Sequence, residues 1–255
     1  MSLNNRMVSV ATALIPLRNK AYTIKHLGYS GIEKIDALID RDDFAFLIGV
    51  ISDYGVSALR AWSLPYELKR RLGTLSSKKI SMMSESQLEQ VLRHPSNLHR
   101  FPKQIARFTL DASNRIACQY NGITSNIWRN TESAREIKAN FLQFKGIGPK
   151  KAEMATKILV RDKNLKLNDL WSVGLAPDVH VWRVLYRLGN IVSANPGTTE
   201  ELVRVGKLLK PDYPAEFDDA LWMLGRDICR PTNPLCLQCP LNILCQKVDV
   251  LKSPN

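Results

Sequence analysis

Three observations predict an all-α protein. Apolar residues recur at intervals of three and four along most of the chain, sustained period-two alternation is absent, and helix start and stop signals fall where the apolar patterns begin and end. With 45% hydrophobic and 24% charged residues in 255, there is enough apolar surface to close a core, which excludes a disordered polycation. Thirteen Gly and thirteen Pro exclude a collagen-like or low-complexity chain.

The apolar stretch Met7 to Leu17 is interrupted by Thr12 and Pro16, so it lacks the layout of a secretory leader. No run approaches the ~18 to 20 apolar residues of a membrane span. No membrane partner is therefore expected, and the expected address is the cytoplasm, at the nucleoid in a prokaryote. Leu88, Val91 and Leu92 mark a helix over 85–93, and Ile105, Phe108, Ala112 and Ile116 mark another over 102–120. Cys118, in that second helix, reads as a small buried hydrophobe. Gly73 and Gly189 follow Leu72 and Leu188 where left-handed caps are expected. Asn164 to Pro177 breaks the helical period and reads as the connection between two helical bodies. Thr198 with Glu201 forms a capping box ahead of Leu202, Val205 and Leu209, and Phe217, Leu221, Leu224 and Ile228 give the last helix.

The charge is uneven. Of the net +12, residues 69–160 hold 17 Lys or Arg against 6 Asp or Glu, so +11 lies in this middle stretch. An uncompensated basic segment of this length suits a polyphosphate partner, because each neutralised phosphate releases a counterion.

Within that stretch, Phe141 to Val160 reads FLQFKGIGPKKAEMATKILV. A helix ending near Phe144 meets Gly146-Ile147-Gly148, and Pro149 opens the next helix at its first position. The glycines allow a tight turn and close approach of the backbone, Ile147 plugs the core, and the N–H groups at the new helix start favour a phosphate.

Four of the five cysteines, Cys229, Cys236, Cys239 and Cys245, fall within seventeen residues in the pattern Cys-x6-Cys-x2-Cys-x5-Cys. Without an export signal, clustered thiols point to a metal rather than disulfides. A single Cys-x2-Cys knuckle with wide flanking gaps suits a [4Fe-4S] cube better than structural zinc, and zinc remains the competitor on spacing alone.

Three motifs in order, Gly146-Ile147-Gly148-Pro149-Lys150-Lys151-Ala152, then Asp178-Val179-His180-Val181-Trp182-Arg183-Val184, then the four-cysteine loop, resemble the helix-hairpin-helix DNA glycosylases of the endonuclease III superfamily. The resemblance spans about Asp43 to Gln246. It implies two helical domains with the active-site cleft between them: a six-helix barrel at 39–170 carrying the hairpin, and a cluster domain built from both chain ends, 1–38 and 171–255. It also assigns the four cysteines to a [4Fe-4S] cluster.

For chemistry, the resemblance puts Lys150 at the place of the nucleophile of members that also cut abasic sites, with Lys151 as its neighbour. A location at a helix start beside Lys151 should depress the pKa of the attacking amine. The essential aspartate of the family corresponds to Asp178, which can take up a proton or stabilise a cationic sugar, and which also reads as the N-cap of the helix Val179 to Leu188. His180 reads as structural or phosphate-facing. The implied partner is double-stranded DNA containing a damaged or mispaired base, bound by a monomer through Gly146, Ile147, Gly148 and Lys151. Tyr54 stands where related iron–sulfur glycosylases often carry glutamine, so an aromatic ring would stack in the gap left by the extruded base. The loop His94 to Phe101, with Leu98, His99 and Arg100 at its tip, is a second candidate wedge. The implied activity is removal of the base with an accompanying β-elimination through a lysine Schiff base. The alternatives are a monofunctional glycosylase for alkylated or deaminated bases and a non-catalytic iron–sulfur DNA-binding protein.

Overall fold

The computed structural model describes residues 3–24, 29–193 and 199–250. Among these residues there are helices and no strands, and no helix is long and apolar enough to cross a membrane. Thr198, the expected cap of the helix that follows it, lies outside the described residues.

The chain divides into two compact units, His26–Leu167 and Met1–Lys25 with Asn168–Asn255. The divisions fall at 25/26 and 167/168, where the sequence suggests 38/39 and 170/171. The first difference has a packing cause. Helix α2 (Glu33–Arg41) lies against α3 (Asp43–Ser52) and α4 (Ala58–Leu72), and Tyr29 stacks on Trp62 of α4 at 4.4 Å.

The first unit is organised around α3. Phe44 to Ser52 are all buried, as expected of a helix apolar on every side. Asp42 caps it, its Oδ1 accepting from Phe44 N and Ala45 N at 3.0 Å each. Helices α2, α4, α7 (Pro102–Gln119) and α9 (Pro149–Asp162) pack around it. Trp62 approaches so closely that a Cβ on Gly49 would lie 2.5 Å from its ring. Short helices α5 (Ser77–Ser81) and α6 (Glu85–Arg93) cover α7, and α8 (Ala134–Leu142) pairs with α9. Ser84 and Gln87 form a reciprocal capping box at the start of α6.

Cys118 is exposed, against the expectation of burial. The buried face of α7 runs through Ile105, Ala106, Thr109, Ala112, Ser113 and Ile116. Two residues beyond Ile116 is roughly 200° around the helix, so Cys118 points away from that face.

In the second unit, α1 (Leu3–Thr23) buries Met7, Val10, Leu14 and Ala21. It packs on α11 (Thr199–Leu209) and α12 (Asp218–Asp227), and α10 (Val179–Leu188) packs on α12 through Trp182, Leu185, Leu221 and Leu224. Gly225 of α12 permits this contact, since a Cβ there would lie 2.5 Å from the carbonyl oxygen of His180.

Candidate active site and nucleic-acid interface

The hairpin joins α8 to α9 as the glycine spacing predicts. Ile147 N donates to Phe144 O at 3.0 Å, and Ala152 N to Gly148 O at 3.0 Å, which closes the turn and begins the helix. Phe144 and Ile147 are buried beneath it. Gly146 has φ +86°, and a Cβ on it would lie 2.5 Å from Cδ2 of Phe108, so both backbone and packing require glycine. Gly148 is exposed, and a Cβ added there would meet no atom within 4 Å, so the backbone is open to approach. Replacing Gly146 with alanine should lower stability by about 2–4 kcal/mol, from positive φ plus the clash with Phe108. Urea unfolding would register this, and a change below about 1 kcal/mol would mean that the turn relaxes elsewhere.

Helix α9 starts at Pro149 with no side-chain cap and no acidic residue in its first turn. The first turn itself therefore supplies no negative charge to the positive end of the helix dipole, where exposed Lys150 lies. Lys151, one residue on, is placed differently. Its Nζ donates to Ile51 O at 2.8 Å and lies 5.8 Å from the centroid of the Tyr54 ring. Burial lowers the pKa of this ammonium to about 8, opposed by the nearby Asp53 carboxylate and assisted by Lys150. This depressed amine, Lys151, is thus in contact with protein.

Tyr54 follows α3 and is 49% exposed, with its ring 5.4 Å from that of Phe101. The loop 94–101 is locked beside it. Arg60 donates to Leu98 O at 3.1 Å and Asn97 O at 2.7 Å, and Arg71 to Ser96 O at 2.8 Å. Arg100 is exposed, Leu98 is partly buried, and His99 is completely buried. His99 Nδ1 accepts from Phe101 N at 3.0 Å, so Nε2 carries the proton and donates to Ser52 O at 3.1 Å. Burial lowers its pKa and favours this neutral form. The expectation that His99 inserts into DNA is corrected accordingly. Its ring serves the C-terminus of α3 from inside the protein, and within the tip only Leu98 and Arg100 reach the surface.

In the other unit, Asp178 is the N-cap of α10, accepting from His180 N at 2.8 Å. Asp178 N donates to Ala176 O at 2.7 Å, and His180 Nδ1 lies 2.9 Å from Arg183 Nη2. His180 Nδ1 thus meets its own helix, and its ring lies edge-on to that of Trp222 in α12 at 6.3 Å.

The four cysteines follow α12. Among the described residues no set of three or more His, Cys, Asp or Glu side chains converges tightly enough to hold a single ion. Cys229, Cys236, Cys239 and Cys245 instead line one pocket of about 20 Å³, together with Arg187 and Lys247. Four thiols around one shared space are the donor set that either an iron–sulfur cluster or a structural zinc takes. Arg187 Nη1 lies 3.6 Å from Cys229 Sγ, Lys247 N donates to Cys245 Sγ at 3.4 Å, and Cys245 Sγ donates to Arg187 O at 3.2 Å. Burial raises the Cys239 thiol to about 11 and also raises Cys245, so these thiols become thiolates when a cationic group compensates their charge.

Arg183 and Arg187 were not singled out by sequence reasoning. Arg187, 7% exposed, donates to Arg230 O at 2.5 Å and Pro231 O at 2.8 Å, and Arg183 to Cys229 O at 2.7 Å and Gly225 O at 2.6 Å. One helix therefore carries Asp178 at its start and, one turn apart along its length, two arginines that hold the cysteine loop.

No protein-family model matches the chain. Over 171 residues it is 26% identical to endonuclease III of Thermotoga maritima, covering 67% of this chain and 73% of that protein. It is also 26% identical over 177 residues to human adenine DNA glycosylase, covering 65% of this chain and about a third, 32%, of the longer protein. Among solved structures, a trapped endonuclease III–DNA covalent intermediate matches with a TM-score of 0.68 at 17% identity, over 99% of this chain and all of the other. A thermostable thymine-DNA glycosylase matches with a TM-score of 0.68 at 14% identity, over 98% of this chain and all of the other. In fold over nearly its whole length, and in sequence over about two thirds of it, this chain resembles the helix-hairpin-helix DNA glycosylases of the endonuclease III superfamily.

Proposed function

We propose that this chain is a base-excision DNA glycosylase that extrudes and removes a damaged or mispaired base and then cleaves the strand through a lysine Schiff base. The observation that carries this reading is Lys150, an exposed residue in the first turn of a helix that has no side-chain cap and no acidic residue in that turn. Such a helix start attracts a phosphate and brings the amine beside the sugar attached to it.

In the reaction, the Gly146-Ile147-Gly148 turn and the start of α9 bind backbone phosphate, while Tyr54 occupies the gap left by the extruded nucleotide. The Lys150 nitrogen attacks C1′ as the C1′–N bond to the base breaks, and the bonding pair leaves with the base. Asp178 stabilises the positive charge that develops on the sugar and accepts the proton lost by the amine. Ring opening gives an iminium between Lys150 and C1′. Loss of a proton from C2′ then expels the 3′ phosphate, and hydrolysis releases the enzyme.

The four cysteines would hold a [4Fe-4S] cluster, whose contribution when bound is to fix the loop that follows α12. Arg187 is expected to be required for it. Arg187→Met removes the donor to two loop carbonyls and the cation beside Cys229, so iron and acid-labile sulfide per chain should fall at least twofold. Leu237→Ser, at a loop position 94% exposed, is the control and should leave both unchanged. Full iron content in Arg187→Met would show that the arginine serves the loop alone.

A monofunctional glycosylase, in which water activated by Asp178 replaces the lysine, is the second reading. Borohydride trapping on an abasic duplex, run with a panel of lesion-bearing duplexes, decides between them. A covalent adduct together with base release supports the lyase, base release without adduct the monofunctional enzyme, and neither leaves a DNA-binding protein.

A further inference from the structure

The C-terminal turn of α3 is where the candidate interface is held together. A helix leaves its last carbonyls without partners, and a cation there also complements the negative end of the dipole. Here two of those carbonyls are served by side chains from distant segments, Ile51 O by Lys151 of the hairpin helix and Ser52 O by His99 of the loop 94–101. Tyr54 emerges directly beyond them. Lys151 Nζ lies 5.8 Å from its ring centroid and Phe101 backs the ring at 5.4 Å. Gly55, at φ +63°, lets Phe101 approach so closely that a Cβ would lie 2.9 Å from its Cε2. Lys151 adjoins Lys150 in the chain, so the amine-bearing position and the contact under Tyr54 are consecutive residues.

An apolar side chain would fill the space around Lys151 without the cost of burying an ammonium. What lysine adds is a directed bond to the α3 carbonyl and a cationic contact to the ring.

Building on the reading above of Lys150 as nucleophile, we infer that Lys151 is a positioning residue that couples the Tyr54 stacking ring to the hairpin helix, so that seating the ring in DNA and presenting the Lys150 amine are one event. The ring can settle in the gap only while the turn after α3 is held against α9, and that same bond fixes the first turn of α9. The depressed pKa of Lys151, about 8, belongs to this buried position and accords with a contact made to protein rather than to phosphate.

The test uses the full chain and a duplex carrying 2-aminopurine opposite a reduced abasic site, whose fluorescence reports stacking in the gap, alongside borohydride trapping on the natural abasic duplex. In the unaltered protein, an adduct that disappears in Lys150→Ala establishes the underlying reading, and its absence would overturn that reading independently of Lys151. Given the adduct, Lys151→Met should reduce both the fluorescence change and the single-turnover trapping rate by about tenfold, with affinity for undamaged duplex altered less than about threefold. Lys151→Arg, which keeps a donor and a cation, should recover part of both signals together. Tyr54→Ala should produce the same two losses, and the double variant Tyr54→Ala with Lys151→Met should be no worse than Tyr54→Ala alone. Additive losses, or a trapping defect in Lys151→Met with a normal fluorescence change, would overturn the coupling, as would normal behaviour in both assays. Thermal unfolding of each variant guards against a general loss of fold, and the Tyr54→Ala comparison remains decisive if Lys151→Met is unstable.

Discussion

Asp178→Asn is expected to lower base release at least about a hundredfold while leaving stability within about 0.5 kcal/mol of the parent. The two effects separate because Asp178 has two jobs that need different chemistry. As the N-cap of α10 it needs only an oxygen to accept from His180 N, and asparagine caps helices about as well as aspartate. As the proposed partner of a developing cation and acceptor of a proton it needs the negative carboxylate, which the amide lacks. Asp178→Ala should add a loss of roughly 1 kcal/mol from the missing cap. Binding to undamaged duplex should hold or tighten slightly in Asp178→Asn, since a negative charge has been removed from a surface meeting a polyanion. Single-turnover base release, thermal unfolding and duplex affinity together check the prediction. An asparagine variant that releases base at the parental rate would reduce Asp178 to a cap and remove the carboxylate from the mechanism.

The parts of the fold and site that were legible in the sequence are those whose physics is local. Pro149 at the first helical position, the turn at Gly146 and the caps at Gly73 and Gly189 depend on backbone geometry within a few residues, and each occurs where the pattern places it. The helix over 85–93 and the start of α7 at Pro102 likewise follow from apolar spacing. The spacing of the cysteines conveyed that they share a site, but not what holds their loop. That support comes from Arg183 and Arg187, more than 40 residues away in the chain, and surface-type residues carry no mark of such a contact. Lys151 presents the same difficulty on a larger scale. Its partner carbonyl is 100 residues distant, so the sequence treats Lys151 only as the neighbour of Lys150 and gives no sign of its buried contact or its depressed pKa. His99 looked like a loop tip because its neighbours are polar and basic, yet two backbone groups draw its ring completely inside. The exposure of Cys118 was open to a phase argument, since the apolar face through Ile116 excludes a position two residues later.

Lys150→Ala should abolish the borohydride-trapped adduct and reduce strand cleavage by at least about a thousandfold, because no other group in the proposed mechanism can form the iminium on which β-elimination depends. Little of this effect can come from misfolding. Lys150 is exposed, and surface substitutions of this kind ordinarily change stability by no more than about 0.5 kcal/mol. Loss of one cation at a phosphate-facing helix start should weaken duplex binding modestly and make the slope of log affinity against log salt shallower by about 0.9. What happens to base release is the more informative measurement. If the amine is the only nucleophile, release falls along with cleavage; if water assisted by Asp178 can also attack, release survives at a reduced rate while the adduct vanishes. Lys151→Ala is the necessary comparison, since that amine is held by Ile51 O beneath Tyr54 and should not substitute at C1′. An adduct must therefore still form in Lys151→Ala, although more slowly, and vanish in Lys150→Ala. The reverse pattern would transfer the nucleophile to the half-buried lysine, and its depressed pKa would then be the activation of the attacking amine.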